Sequence, residues 1–215
     1  MSISTSGPAA SGKGRFFDDF FVLGTAFPPK WSHLLGGAGA AALLIASLDA
    51  DYDDGRGVLR HTAKVGGASA VTSVTDAASF NARSPMVFKS RFRTGAAPTD
   101  LSFSLGLSNG QNTVFATLTT NVNGNWFLDA VSNAGGGSVN LDTGVAVVDS
   151  VFHEVVISVV PGVSVTAYLN GVQIAQITTA NAVPQDGDFN APYMRTAIVA
   201  AGGFSYIDYV DVRVS

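Results

Sequence analysis

The densest set of hard oxygen donors in the chain is Asp49-Ala50-Asp51-Tyr52-Asp53-Asp54-Gly55, with carboxylates at alternate positions. Oxygen ligands at the first, third and fifth places of a loop suit Ca²⁺, but an EF-hand also needs Gly at the sixth and a bidentate Glu at the twelfth. Asp54 and Arg60 stand there instead. The stretch therefore reads as an acidic, solvated loop between strands. Asp49, Asp51 and Asp53 stay a weak calcium candidate, and no other cofactor is expected. Hydrolytic chemistry fares no better. A retaining glycosidase needs two carboxyl groups about 5 Å apart, and the chain has a single glutamate, Glu154. The pairs Asp18-Asp19 and Asp53-Asp54 are adjacent, so in a strand they would point to opposite faces, and Asp129 has no obvious partner. His33, His61 and His153 show neither ligand spacing nor a neighbouring nucleophile, and no G-x-S-x-G elbow is present. They read as ordinary surface or hydrogen-bonded residues, His153 at a strand edge. Gly135-Gly136-Gly137 is not followed by Lys-Ser/Thr and reads as a flexible loop rather than a phosphate cradle. The expectation is a protein that is not an enzyme.

Binding residues are easier to place. Lys89, Arg91 and Arg93 alternate along PMVFKSRFRT, so in a strand they form a basic ridge opposite Phe88 and Phe92. The ridge is either a solvated outer face or a contact for an acidic subunit or an anionic sugar. Trp126, beside Asn123-Gly124, either stacks on a sugar ring or plugs the end of the fold. Tyr168 lies on a mixed face with Ser164, Thr166 and Gln173.

The elements that carry these residues are strands. HEVVISVVPGVSVTAYLNGVQIAQI, residues 153 to 177, reads as three strands joined at Pro161-Gly162 and Asn170-Gly171. Asn-Gly between alternating runs signals a type I′ hairpin. Pairing Leu169 with Val172 puts Val163, Val165, Ala167, Leu169, Val172 and Ile174 on one face, which must be covered by a second layer. FFDDFFVL, GVLRHTAKV, PMVFKSRFRT, LSFSLGLS, TVFATLTTNV, NWFLDAV, a weaker GVAVV, and YIDYVDVRV give further strands, punctuated by glycine turns. Residues 37 to 48 fit helix or strand, because periodicity does not arbitrate a short apolar run.

Composition sets the limits. The 215 residues are 13% charged and 47% apolar, an adhesive balance that fits a large buried interface with partner subunits. The longest apolar run, Gly36 to Ser47, falls short of the roughly 20 residues needed to cross a bilayer. With a net charge of −4, nothing draws the chain to nucleic acid or an anionic membrane. The absence of cysteine agrees with a reducing compartment. Residues 1 to 15 carry too little apolar content to order themselves and show no secretory signal. They read as a flexible arm preceding one domain over residues 16 to 215.

Taken together, FFDDF, SRFRT with LSFSLGLSNG, VFHEVVISV leading into VTAYLNGVQIAQI, and YIDYVDVRV resemble the concanavalin A-like lectin and glucanase superfamily, including laminin-G-like modules. The resemblance implies an all-β, antiparallel two-sheet jelly-roll sandwich with the first and last strands side by side. Cysteine-free, free-standing modules of this kind are similar to accessory virion proteins of tailed bacteriophages. That likeness implies a structural protein, made in the host cytoplasm and carried in the virion. It would bind subunits of a capsid or tail, as a homo-oligomer such as a trimer. The alternative is a lectin-like module for cell-surface glycan.

Overall fold

A computed structural model describes residues 14–18, 31–36, 41–45, 58–62, 69–74, 80–94, 101–108, 114–120, 124–148, 150–198 and 204–215. Among the described residues there are strands and no helix. In chain order the strands are β1 (Gly14–Asp18), β2 (Trp31–Gly36), β3 (Ala41–Ile45), β4 (Val58–Thr62), β5 (Ser69–Val74), β6 (Phe80–Asn81), β7 (Met86–Thr94) and β8 (Leu101–Ser108). They continue with β9 (Val114–Thr120), β10 (Asn125–Ser132), β11 (Gly137–Ala146), β12 (His153–Val160), β13 (Ser164–Leu169), β14 (Val172–Ile177), β15 (Phe189–Ile198) and β16 (Phe204–Val214). The first sheet runs β14-β13-β12-β7-β16-β4-β3, with β1 also on β16; the second runs β11-β10-β9-β8-β15-β5-β2, with β6 also on β15. The fold is the antiparallel two-sheet sandwich expected from the sequence. β1 and β16 lie side by side, Phe16 opposite Val212.

Alternation builds the core. In β7, Met86, Phe88, Ser90, Phe92 and Thr94 are buried while Val87, Lys89, Arg91 and Arg93 face outward. Phe92 stacks on Phe103 of β8 at 4.9 Å and meets Trp126 of β10 edge-on at 5.4 Å, so one aromatic cluster ties the sheets together. Burying each such side chain stabilises by about 1.5–3 kcal/mol, and a well-placed ring pair adds about 0.5–1.5 kcal/mol.

The β12–β14 region follows its turn chemistry. Val163 N–H donates to Val160 C=O at 2.9 Å with Gly162 at φ 64°, which suits a Pro-Gly type II turn. Asn170 at φ 51° and Gly171 at φ 81° form the second turn, and Leu169 pairs with Val172 as expected. The expected apolar face needs correction beyond that turn. Ala167 opposes Ala175 whereas Tyr168 opposes Gln173, so a bulge inserts one residue into β14 and reverses its parity. Ala175 and Ile177 enter the core, Ile174 is only partly buried, and Val172 is 66% exposed. Val163, in a turn, is exposed as well.

Residues 41–45, within the stretch left open between helix and strand, form β3 against β4. Strands β2, β5, β6 and β15 were not expected. β15 conceals itself by containing Pro192, which lacks a ladder donor. One edge of β15 pairs with β8, with Pro192 opposite Leu107. The other edge pairs with β6 at Phe189 and Asn190 and with β5 from Tyr193 onward, so the proline stands in the gap between those two ladders.

Candidate functional site

The basic ridge lies where alternation places it, on the outer face of the first sheet, and there it meets its own counter-charges. Lys89 Nζ is 2.7 Å from Glu154 Oε2 on β12, and Arg91 Nη1 is 2.9 Å from Asp208 Oδ2 on β16. Arg91 also lies 4.4 Å over the Phe152 ring, and Arg93 lies 4.9 Å over Tyr206, geometries that favour a cation over an aromatic face. The hydrogen bond from Lys89 holds the Glu154 carboxyl below its ordinary range. Tyr209, pushed upward by burial and then by Glu154, keeps its proton and donates it to Glu154 at 3.1 Å. Farther along β16, burial works against ionisation of Asp211, but Arg15 and Arg213 outweigh it and keep the carboxyl low. This face is an ion ladder closed on itself.

The other expected binding residues scatter. Trp126 is fully buried edge-on against Phe92, so its ring packs inside the core and offers no surface to a sugar. Tyr168 is half-buried on β13, opposite Val156 and Gln173, while Ser164 and Thr166 beside it are buried. Asp49, Asp51 and Asp53 lie outside the described residues. Among the described residues, no three His, Cys, Asp or Glu side chains come together as metal ligands would. His153 opens β12 facing inward. Its Nε2 is 3.1 Å from the Val148 carbonyl and its Nδ1 is 3.0 Å from Asn170 Nδ2. A carbonyl only accepts, so Nε2 carries the proton and Nδ1 accepts from Asn170. Gly135 to Gly137 is a packed turn rather than a flexible loop. A Cβ on Gly137 would lie 2.7 Å from the Asn181 carbonyl oxygen. The turn is anchored by Asp188, which accepts from the backbone of Asn133 and Ala134 and from Ser132 Oγ.

The outer face of the second sheet carries a polar array that the sequence reading did not find. Phe103, Leu105, Leu118, Trp126 and Leu128 face the core, so the alternate residues face out. Asn140, Asp129, Thr117, Gly106 and Tyr193 are successive partners from β11 to β15. The next row is Asp142, Phe127, Thr119, Ser104 and Arg195. Thr119 Oγ1 donates to Asp129 Oδ2 at 2.8 Å, and Asn140 Nδ2 donates to Asp129 Oδ1 in a short bond. Ser104 Oγ lies 3.2 Å from Thr119 Oγ1. Ser104 Oγ and Asp129 Oδ2 are both placed to accept from the Thr119 hydroxyl, whose single proton serves one at a time, the shorter contact being the carboxylate. Burial raises the Asp129 carboxyl above its usual value, with the bonds from Asn140, Thr119 and Thr117 pulling the other way. Asp142 accepts from Gly144 N–H at 2.8 Å and from Asn125 Nδ2 at 3.2 Å. Asn140 and Asp142 are exposed and Asp129 and Thr119 half-buried, while Ser104, Thr117 and the two aromatics Phe127 and Tyr193 are buried beside them, so the accessible part of the array is its β10–β11 end. The signal for the array is parity: in NWFLDAV a core-facing Trp126 puts Phe127 and Asp129 on the opposite face of the sheet, where Phe127 is buried and Asp129 half-buried.

No family model matches the chain, and no curated protein matches it. Solved structures do. A glycoside hydrolase family 16 endo-glucanase from Bacteroides ovatus superposes with a TM-score of 0.64 at 12% identity, over 92% of this chain and 99% of that one. The carbohydrate recognition domain of Emp47p gives 0.59 at 13% identity, over 96% and 98%. A carbohydrate esterase from the Shiga toxin-encoding bacteriophage phi24B gives 0.53 at 17% identity, over 86% and 90%. The chain has the concanavalin A-like jelly-roll fold. Its structural neighbours include both enzymes and a carbohydrate recognition domain, and at these identities the likeness concerns the fold alone.

Proposed function

We propose that this jelly roll is a glycan-binding module that uses the outer face of its second sheet. The observation that carries the reading is the hydrogen-bonded chain Ser104, Thr119, Asp129 and Asn140 across β8 to β11. Fixed acceptors and hydroxyls beside an aromatic suit a polyhydroxylated ligand, and pre-ordering them lowers the entropy lost on binding. The carbohydrate-related names of the structural neighbours agree with it. Binding without catalysis fits the carboxyl inventory, since the single glutamate of the sequence sits on the opposite sheet, tied to Lys89.

A glycan array followed by titration of the best ligand tests the reading. Asp129→Ala and Asn140→Ala should each weaken binding about tenfold, the loss of about 1.4 kcal/mol, while Lys89→Ala on the far sheet leaves it unchanged. The reverse pattern would move the site to the basic ridge. Release of new sugar ends from the bound glycan, abolished by Asp129→Asn, would replace binding by catalysis.

A second reading is a virion accessory protein that binds and stabilises neighbouring subunits, carried in the particle as an oligomer. The bacteriophage source of one structural neighbour and the low charged fraction of the chain favour it. Co-sedimentation of the purified chain with assembled particles, and its own mass by sedimentation, test that reading; a monomer that never co-sediments would remove it.

A further inference from the structure

The face proposed above as the glycan site carries a sign. Resting on that reading, we infer that its β10–β11 end takes neutral or amino sugar units and turns away uronic acids and sulfate esters, with Asp129 as the specificity-determining residue.

The contrast between the two sheets carries the inference. On the first sheet the ladder carboxylates meet cations: Glu154 has Lys89, Asp208 has Arg91, and Asp211 has Arg15 and Arg213. In the β6–β15 region, Asp186 has Arg83. On the second sheet Asp129 is held by Thr119 and Asn140, and Asp142 by Asn125 and a backbone N–H. These partners orient a carboxylate without neutralising it. Burial raising the Asp129 carboxyl agrees with a site where no cation offsets the desolvation.

Geometry makes the two charges act together. Asp129 opposes Asn140, and Asp142 follows Asn140 on the same face of β11, so the two acids are diagonal neighbours about 7–8 Å apart. A sugar carboxylate bound at the array would lie near both. Among the described residues, Arg195 is the basic residue whose register, opposite Ser104 on β8, places it on this face. Three strand spacings separate β15 from β10, about 14 Å, which exceeds the screening length of about 8–10 Å in physiological salt. Among the described residues, an anionic unit at the β10–β11 end therefore meets repulsion with no compensating partner, whereas hydroxyls donate to Asp129 and an ammonium supplies the missing counter-charge.

Oligosaccharides of glucose, glucosamine and glucuronic acid, matched in length and linkage, test this by calorimetric titration against the full chain. The glucose and glucosamine oligomers should bind at least about tenfold more tightly than the glucuronic acid oligomer, and raising the salt should shrink the ratio. Asp129→Asn keeps the shape and should bring the glucuronic acid oligomer to within about threefold of glucose. Asp142→Asn, on the sheet edge, provides a second variant and should move the ratio the same way by less. Equal wild-type affinity for glucose and glucuronic acid oligomers overturns the inference while leaving glycan binding intact, as does a ratio indifferent to both substitutions. If none of the oligomers binds, the glycan reading and this inference fall together.

Discussion

Asp188 is where one side chain should matter most to stability. It is 1% exposed and accepts from Ser132 Oγ at 2.7 Å, from the backbone of Asn133 at 3.0 Å and Ala134 at 3.2 Å, and from Gln185 N–H at 3.0 Å. It thereby fastens the turn before β11 to the segment before β15. Asp188→Ala removes the acceptor and leaves the donors behind. Ser132 Oγ can rotate, and it already accepts from Gly135 N–H, so the backbone donors carry the cost. Each one left dry costs about 1–3 kcal/mol. With two of them denied water the loss is about 3–5 kcal/mol, at the upper end for a single substitution. Asp188→Asn retains one acceptor oxygen but turns an amide N–H₂ toward the remaining donors, so about half that loss is expected. Urea unfolding should rank wild type above Asp188→Asn above Asp188→Ala, the last shifted by about 1–2 M for a slope of about 2–3 kcal/mol/M. Ser132→Ala should cost about 1 kcal/mol alone and much less in the Asp188→Ala background. If Asp188→Ala falls within about 1 kcal/mol of wild type, these donors reach water and the turn is not held as described.

The glycine turn should respond by position. Gly135→Ala and Gly137→Ala, whose Cβ atoms would press on the Asn181 backbone, should cost about 2–3 kcal/mol, whereas Gly136→Ala, strained only by φ +71° with nothing within 4 Å, should cost about 1 kcal/mol in the same melts. Asp129 gives a pH signature. A carboxyl raised on folding favours the native state below its unfolded value, and that contribution is lost as pH rises through the folded one. Asp129→Asn should therefore be more stable than wild type at pH 7 and lose the advantage below about pH 4, read by denaturant melts across the range. Trp126→Ala should destabilise by about 3–5 kcal/mol, so any loss of glycan binding in that variant should follow its unfolding rather than a lost stacking contact.

What the sequence disclosed was local. Asn170-Gly171 and Pro161-Gly162 encode their own turns, and the large apolar residues of β7 and β12 announce a buried face by simple alternation. What stayed hidden depended on neighbours. The parity change in β14 has no glycine or proline to mark it. β15 reads as a poor strand until the gap opposite Pro192 is seen. The polar array escaped for the same reason: Asp129 lacks a partner within its own strand, and Thr119 and Asn140 reach it only through the registers with β9 and β11. Residue type makes Trp126 a sugar-stacking candidate, but the parity of its strand assigns it to the core and Phe127 to the opposite face of the sheet.

The place of β16 bears on how this chain acquires its structure. Along one edge β16 pairs with β7; along the other it pairs first with β4 and then with β1. The ion pair from Arg15 to Asp211 closes a loop across 196 residues. During synthesis β1, β4 and β7 are all made before the strand that lies between them, so the middle of the first sheet waits for the last strand to emerge. Topologies of such high contact order fold slowly, and unpaired apolar edges in the interval invite mispairing and aggregation. A nascent chain stalled before Phe204 would lack the centre of its sheet rather than an edge, and would be a client for chaperones rather than a nearly folded domain.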